Sequence, residues 1–113
     1  MKTKIWTNGP IYIINIEGDI KLADSDRLKK LIMKMVEKKV EKLIINTGKI
    51  DSIDSSGIGA LIFASSNLKK LGLSLAIANV SGALEQVMDK TKLSNYLPIY
   101  KDVGEAIQKF SQD

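Results

Sequence analysis

The stretch Lys49-Ile50-Asp51-Ser52-Ile53-Asp54-Ser55-Ser56-Gly57-Ile58-Gly59-Ala60-Leu61-Ile62-Phe63 lies midway along a chain of 113 residues. An apolar run, Leu43-Ile44-Ile45, enters it and a helical pattern leaves it, so a strand hands over to a helix here. An acid, two hydroxyls and a glycine stand at the junction. Asp54 or Ser55 can accept a hydrogen bond from an unpaired N–H of the helix that follows. A cap needs only one such residue and has no use for glycine in the first turn. Gly57 and Gly59 each cost that helix about 1 kcal/mol relative to alanine. Two glycines beside an exposed serine imply that something approaches the backbone closely.

Strands and helices alternate outward from this junction. Toward the N-terminus, Val40 to Asn46 is a buried strand. Before it, Leu28, Leu31, Ile32, Met35 and Val36 form one helical stripe, capped by Asp24 or Ser25 and closed by Lys38 and Lys39. Ile11 to Ile16 is too continuously apolar for a strand with one wet face and is expected inside a sheet, ending at Gly18-Asp19. Lys2 to Trp6 precedes it across Thr7-Asn8-Gly9-Pro10, a hairpin signal loosened by the proline. Toward the C-terminus, Ile58 to Leu71 reads as a helix stopped by Gly72, followed by a strand over Leu73 to Ala78. Ser81 opens a helix through Leu84, Val87 and Met88. Tyr96 to Tyr100 is a short strand that Pro98 confines to a sheet edge. Asp102 caps a final helix with Val103, Ala106, Ile107 and Phe110 on one face. Strand, helix, strand with short links requires parallel strands and right-handed crossovers. The expected architecture is α/β: one domain over residues 1–113, about five mostly parallel strands with the first antiparallel, and four helices.

Composition narrows the chemistry. At 44% hydrophobic and 27% charged the chain has the balance of a soluble globular domain, and no apolar run approaches a membrane span. The first residues have no signal-peptide core, so the cytoplasm is the expected location. Without cysteine there is no disulfide or thiolate nucleophile, and without histidine no Ser-His-Asp triad or histidine-ligated zinc. No catalytic pair of carboxylates, lysines or tyrosines is recognisable, so no enzyme, metal or cofactor is expected. The net charge of +4 is modest for a nucleic-acid binder.

Asp54-Ser55-Ser56-Gly57-Ile58-Gly59-Ala60-Leu61 resembles the signature of the STAS domain, in particular of the bacterial anti-sigma factor antagonists. Gly18-Asp19-Ile20 matches that family's glycine-acid-apolar turn, and the order of elements matches over nearly the whole chain. The resemblance implies that Ser56 is the phosphate acceptor. It further implies that the unphosphorylated form binds an anti-sigma factor that is also an ATP-dependent serine kinase, releasing a sigma factor. A PP2C-type phosphatase would restore the active form. The expected molecule is a monomer acting as substrate and ligand, not catalyst. One departure is Lys21, where the family often has an acid; it touches partner contact and kinase recognition, not Ser56.

A helical wheel places Ile58, Leu61, Ala64, Ser65, Leu68 and Leu71 toward the sheet and Ser56, Gly59, Ala60, Phe63, Asn67 and Lys70 outward. An outward Phe63 above small residues suits a docking surface, whereas a Phe63 packed under a neighbouring helix would be core. Asp19, Asp54, Ser55, Gly57, Gly59, Ala60 and Phe63 are therefore the expected partner-binding residues, around Ser56. Asp19, Asp24, Asp26, Asp51 and Asp54 gather at the carboxyl ends of the strands, where α/β folds meet ligands, and Lys38, Lys39, Lys42, Lys69 and Lys70 at the opposite end. The acidic end disfavours nucleic acid and suits a basic protein surface. A STAS module of a scaffold or membrane transport complex, with Ser56 silent, is the rival reading. A receiver domain would need Asp51 or Asp54 as an acyl-phosphate site, and a nucleotide pocket near Gly57 and Gly59 lacks a P-loop.

Overall fold

The chain is described from a computed structural model covering residues 1–112; Asp113, the last residue of the expected domain, lies outside them. Lys2–Asn8 (β1) and Ile11–Ile20 (β2) form the antiparallel hairpin, closed at the Asn8–Ile11 pair with Gly9 at φ +59°. Pro10, second residue of the two-residue turn, needs no ladder N–H there and does not loosen it. Leu22–Glu37 (α1), Lys42–Ile53 (β3), Ser55–Lys70 (α2), Ser74–Ala78 (β4), Gly82–Thr91 (α3), Ile99–Tyr100 (β5) and Val103–Ser111 (α4) follow. The sheet order is β1-β2-β3-β4-β5, and every pairing after the hairpin is parallel. The expected α/β class, with five strands and four α-helices, is what the described residues form.

The alternation of side chains along a strand divides β2 between two cores. Ile14 and Ile16 join Leu43, Ile45 and Ile77 beneath α1, α2 and α3. Ile11 and Ile13 join Ile44, Ala76 and Ala78 against Ala106 and Phe110 of α4. Both faces are covered at these positions, which accounts for the unbroken apolar run of β2. Lys42, expected in the solvated basic end, is half-buried and donates from Nζ to the Phe110 carbonyl at 2.6 Å.

Several boundaries differ from expectation, and the differences position the site. Gly18-Asp19 does not end β2. Gly18 takes φ +88° at one of two register shifts against β3, and the irregular ladder continues to the Ile20–Ile53 pair. β3, expected to stop at Asn46, pairs with β4 only as far as Asn46–Ala78 and then runs on beside β2 alone. The motif thus sits on a two-stranded extension above the sheet. α1 starts at Leu22, before Asp24 and Ser25, with Lys21 as its first flanking residue. Asp24 instead accepts from the Lys21 N–H at 3.0 Å, and Ser25 Oγ donates to the Leu22 carbonyl at 2.8 Å. Only Ile99 and Tyr100 of the expected fifth strand pair, because Leu93–Asn95 forms a 3₁₀ turn and the chain re-enters the sheet after Pro98.

Thr47 is the hinge of the extension. It is buried, and its Oγ1 donates to the Ala78 carbonyl at 2.9 Å where β3 leaves β4. Replacing Thr47 by Val keeps the shape and removes the donor. Urea unfolding is expected to read a loss of about 1–2 kcal/mol.

Candidate phosphoacceptor and docking site

Two helices spring from one closed strand end. The Asp54 N–H donates to the Ile20 carbonyl at 3.2 Å, so the starts of α1 and α2 lie side by side. This brings together the two sequence features that stand 36 positions apart, Gly18-Asp19-Ile20 and Asp54-Ser55-Ser56. Ser52 Oγ, which was not among the expected site residues, donates to Asp19 Oδ1 at 2.6 Å across the extension and fixes the exposed Asp19 carboxylate.

Asp54, not Ser55, caps α2. Its Oδ1 accepts from the Gly57 N–H at 3.1 Å and from the Ser56 hydroxyl at 2.5 Å. These bonds, that from Ser56 first and that from Gly57 second, hold the Asp54 carboxyl below the usual carboxylate range. The carboxylate is therefore charged at neutral pH, and the half-exposed Ser56 hydroxyl is oriented in the first turn of a 16-residue helix. Asp24 is likewise lowered, by the Lys21 N–H first and with help from Arg27 at 3.5 Å. That leaves Asp19, Asp26, Asp51 and Asp54 as the exposed acids at this end, alongside the exposed cations Lys21 and Lys49.

The glycines have different reasons. A Cβ on Gly57 would stand 2.6 Å from Ile53 Cγ1 and 2.9 Å from Ile20 Cγ2. What approaches its backbone closely is the chain's own strand end, and Gly57 is buried. Gly59 has open space around its Cβ position and is the glycine at the surface.

The wheel also needs correction. Ala60, expected outward, is fully buried, and Leu71, expected inward, is 53% exposed. α1 packs alongside α2, and the buried residues of α2 include Ala60 as well as the sheet-facing Ile58, Leu61, Ala64 and Leu68. Phe63 is half-buried on the same side, with Lys29 Nζ of α1 5.6 Å from its ring centroid. The open stripe is Ser55, Gly59, Ile62 and Ser66, whose spacing of four, three and four residues keeps one helix face. Ile62 is 38% exposed, and Leu22, two residues beyond Ile20, is 68% exposed. Neither apolar residue was expected here. Ile62 falls on the Ser55–Gly59 line of the wheel, but Leu22 becomes visible only once α1 is known to begin before Asp24.

The STAS domain profile matches residues 3–106 of the chain. The chain belongs to the STAS domain family. The same fold occurs in an anti-sigma factor antagonist from Mycobacterium paratuberculosis, with a TM-score of 0.85 at 18% identity over 96% of this chain and 92% of that one. The phosphorylated form of the Bacillus cell fate determinant SpoIIAA gives 0.75 at 16% identity over 96% and 99%. A sulfate transporter family protein from Wolinella succinogenes gives 0.75 at 21% identity over 88% and 84%. Among the described residues of this STAS domain no cluster of three acids is placed to hold a metal ion, and no helix is long and apolar enough to cross a membrane.

Substitutions at Ser56 and at the two glycines test the geometry. Ser56→Ala removes the first cause of the low Asp54 pKa, so that pKa should rise toward the ordinary range in a carboxyl NMR titration. A carboxyl depressed in the native state lends stability above its unfolded-state pKa and loses it as pH falls through the native value. Acid unfolding of Ser56→Ala should therefore begin at higher pH than that of the wild type. Gly57→Ala should lose about 1–3 kcal/mol from overpacking, whereas Gly59→Ala should gain about 0.5–1 kcal/mol, both read by urea unfolding.

Proposed function

We propose that this STAS domain is an anti-sigma factor antagonist whose partner binding is switched off by phosphorylation of Ser56. The observation that carries the reading is the Ser56 hydroxyl, half-exposed at the start of α2 and hydrogen-bonded to a cap carboxylate that stays ionised. In the unphosphorylated form the surface around it joins small and apolar residues, Ser55, Gly59, Ile62 and Leu22, to the acids Asp19 and Asp54, with the exposed cation Lys21 between Asp19 and Leu22 in the chain. A protein partner with basic groups around an apolar seat is its complement. That partner is an anti-sigma factor acting as an ATP-dependent serine kinase, and a PP2C-type phosphatase reverses its action. The cytoplasm is where all of them would meet.

Phosphorylation acts on this surface without needing a new fold. The modified side chain can no longer donate to Asp54, and it carries about −1.5 to −2 charges next to that carboxylate. The positive end of the α2 dipole offsets part of the added charge. At an interface, a bulky dianion without a counter-charge costs several kcal/mol. A shift from 1:99 to 99:1 requires about 5.5 kcal/mol of differential affinity, so charge with steric exclusion reaches the needed scale. The likeness to the sulfate transporter family protein favours a second reading, a STAS module in a transport complex, in which Ser56 is only capped and never modified.

The deciding experiment captures partners from native lysate on wild-type chain, Ser56→Ala and Ser56→Glu, and maps phosphate by mass spectrometry. The proposal expects a kinase-like anti-sigma factor on the first two and not on Ser56→Glu, with phosphate on Ser56. With the captured partner purified, Ile62→Asp should weaken binding at least about tenfold without lowering the Tm. Retention of one partner by all three forms, or capture of transport or scaffold proteins alone, overturns it.

A further inference from the structure

At the end of the molecule away from Ser56, a cleft of ≈ 510 Å³ opens between the last turns of α2 and the segment that leads into β5. Its volume lies within the range of small-molecule sites, about 300–1,000 Å³. Leu73 and Leu75 line it from the start of β4, and Asn95, Tyr96, Leu97 and Pro98 from the segment before β5. Ser65 and Lys69, one helical turn apart, line it from α2. Gly72, at φ +72°, turns the chain between α2 and β4 at its margin.

Three features point to an occupant of definite chemistry. Tyr96 is 81% exposed, the most solvated large apolar side chain among the described residues. A flat ring left in water beside Leu97 and Leu75, each at least nine-tenths buried, is a wall without a facing surface. Second, the Lys69 ammonium has no carboxylate within ion-pair reach among the described residues. Third, the Ser65 hydroxyl and the Asn95 amide make no hydrogen bond among the described residues, whereas the side chains of Asn46, Thr47, Asn79 and Thr91 are engaged. A cation, two neutral hydrogen-bonding groups and an apolar wall thus border one cavity.

We propose that this cleft binds a small, planar, apolar molecule bearing one carboxylate. The ring lies between Tyr96 and the leucines at the start of β4, Lys69 pairs with the carboxylate, and Ser65 and Asn95 donate to its oxygens. The inference is independent of the Ser56 switch, since it uses the opposite end of α2 and none of the docking residues.

The test is an amide-resolved NMR titration of the full chain with 1-naphthoate, using neutral 1-naphthamide as the charge control. Saturable shifts are expected at Ser65, Lys69, Gly72, Leu73 and Asn95 to Leu97, with a Kd below about 1 mM, the value a ligand of this size reaches at ordinary efficiency. Naphthoate should bind at least about fivefold more tightly than naphthamide, and Lys69→Gln should abolish that preference while Lys69→Arg keeps it. Tyr96→Ala should weaken both ligands. Because Lys69 and Tyr96 are exposed, an unchanged Tm separates lost binding from lost structure. The proposal is overturned by absence of saturation up to about 5 mM, by shifts confined to another surface, or by a charge preference that survives Lys69→Gln.

Discussion

Ile20 and Ile53 close the parallel ladder of β2 and β3, and their side chains leave no space for a Cβ at residue 57. That crowding sets how α2 leaves the sheet. With glycine at 57 the helix comes down onto the strand end, the Gly57 N–H reaches the Asp54 carboxylate, and Ser56 is carried to the rim between the two helix starts. The N–H of Asp54 is held in turn by the Ile20 carbonyl. Backbone ladder, cap and serine are therefore one unit, in which shifting any member displaces the hydroxyl.

Under the proposed function, electrostatics would give this unit its sensitivity to phosphorylation. The Asp54 carboxylate does two things with one oxygen: it satisfies an amide at the positive end of the helix and it orients the Ser56 hydroxyl. Both bonds favour its ionised form, so the site carries a fixed negative charge before anything is added to it. A modification that removes the hydroxyl proton donor and adds a second anion works against a charge already in place. The fold would tolerate it, because the serine is at the surface and the core beneath is apolar.

Much of this was legible in the residues. Unbroken runs such as Ile11-Tyr12-Ile13-Ile14 announce a sheet covered on both faces, and the Asp54-Ser55-Ser56-Gly57 junction announces a capped helix after a strand. The extension of β2 and β3 was not legible. Its residues, Thr47 to Ile53 and Glu17 to Ile20, mix polar and apolar types without clean alternation because two register shifts interrupt the ladder. The outward face of α2 was misplaced for a related reason. A wheel finds the face of a helix lying on a sheet, but α1 covers a second arc, and Ala60 gives no sign of which neighbour buries it. Gly57 was seen as unusual for good cause; that its neighbour is Ile53 rather than a partner is a tertiary fact.

The order of strands across the sheet is also their order along the chain. Each new strand emerging from synthesis joins the one made just before it, so pairing never waits for a distant segment, an arrangement that keeps loop-closure costs small during folding. Glu17 to Lys70 hold the β2–β3 ladder end, the Asp54 cap and Ser56, and they are translated before Ser74 opens β4. A nascent chain of that length already contains the ladder end, the cap and the serine. The cleft at the other end waits for residues through Pro98. The two ends of α2 are thus completed at different moments, the serine end first.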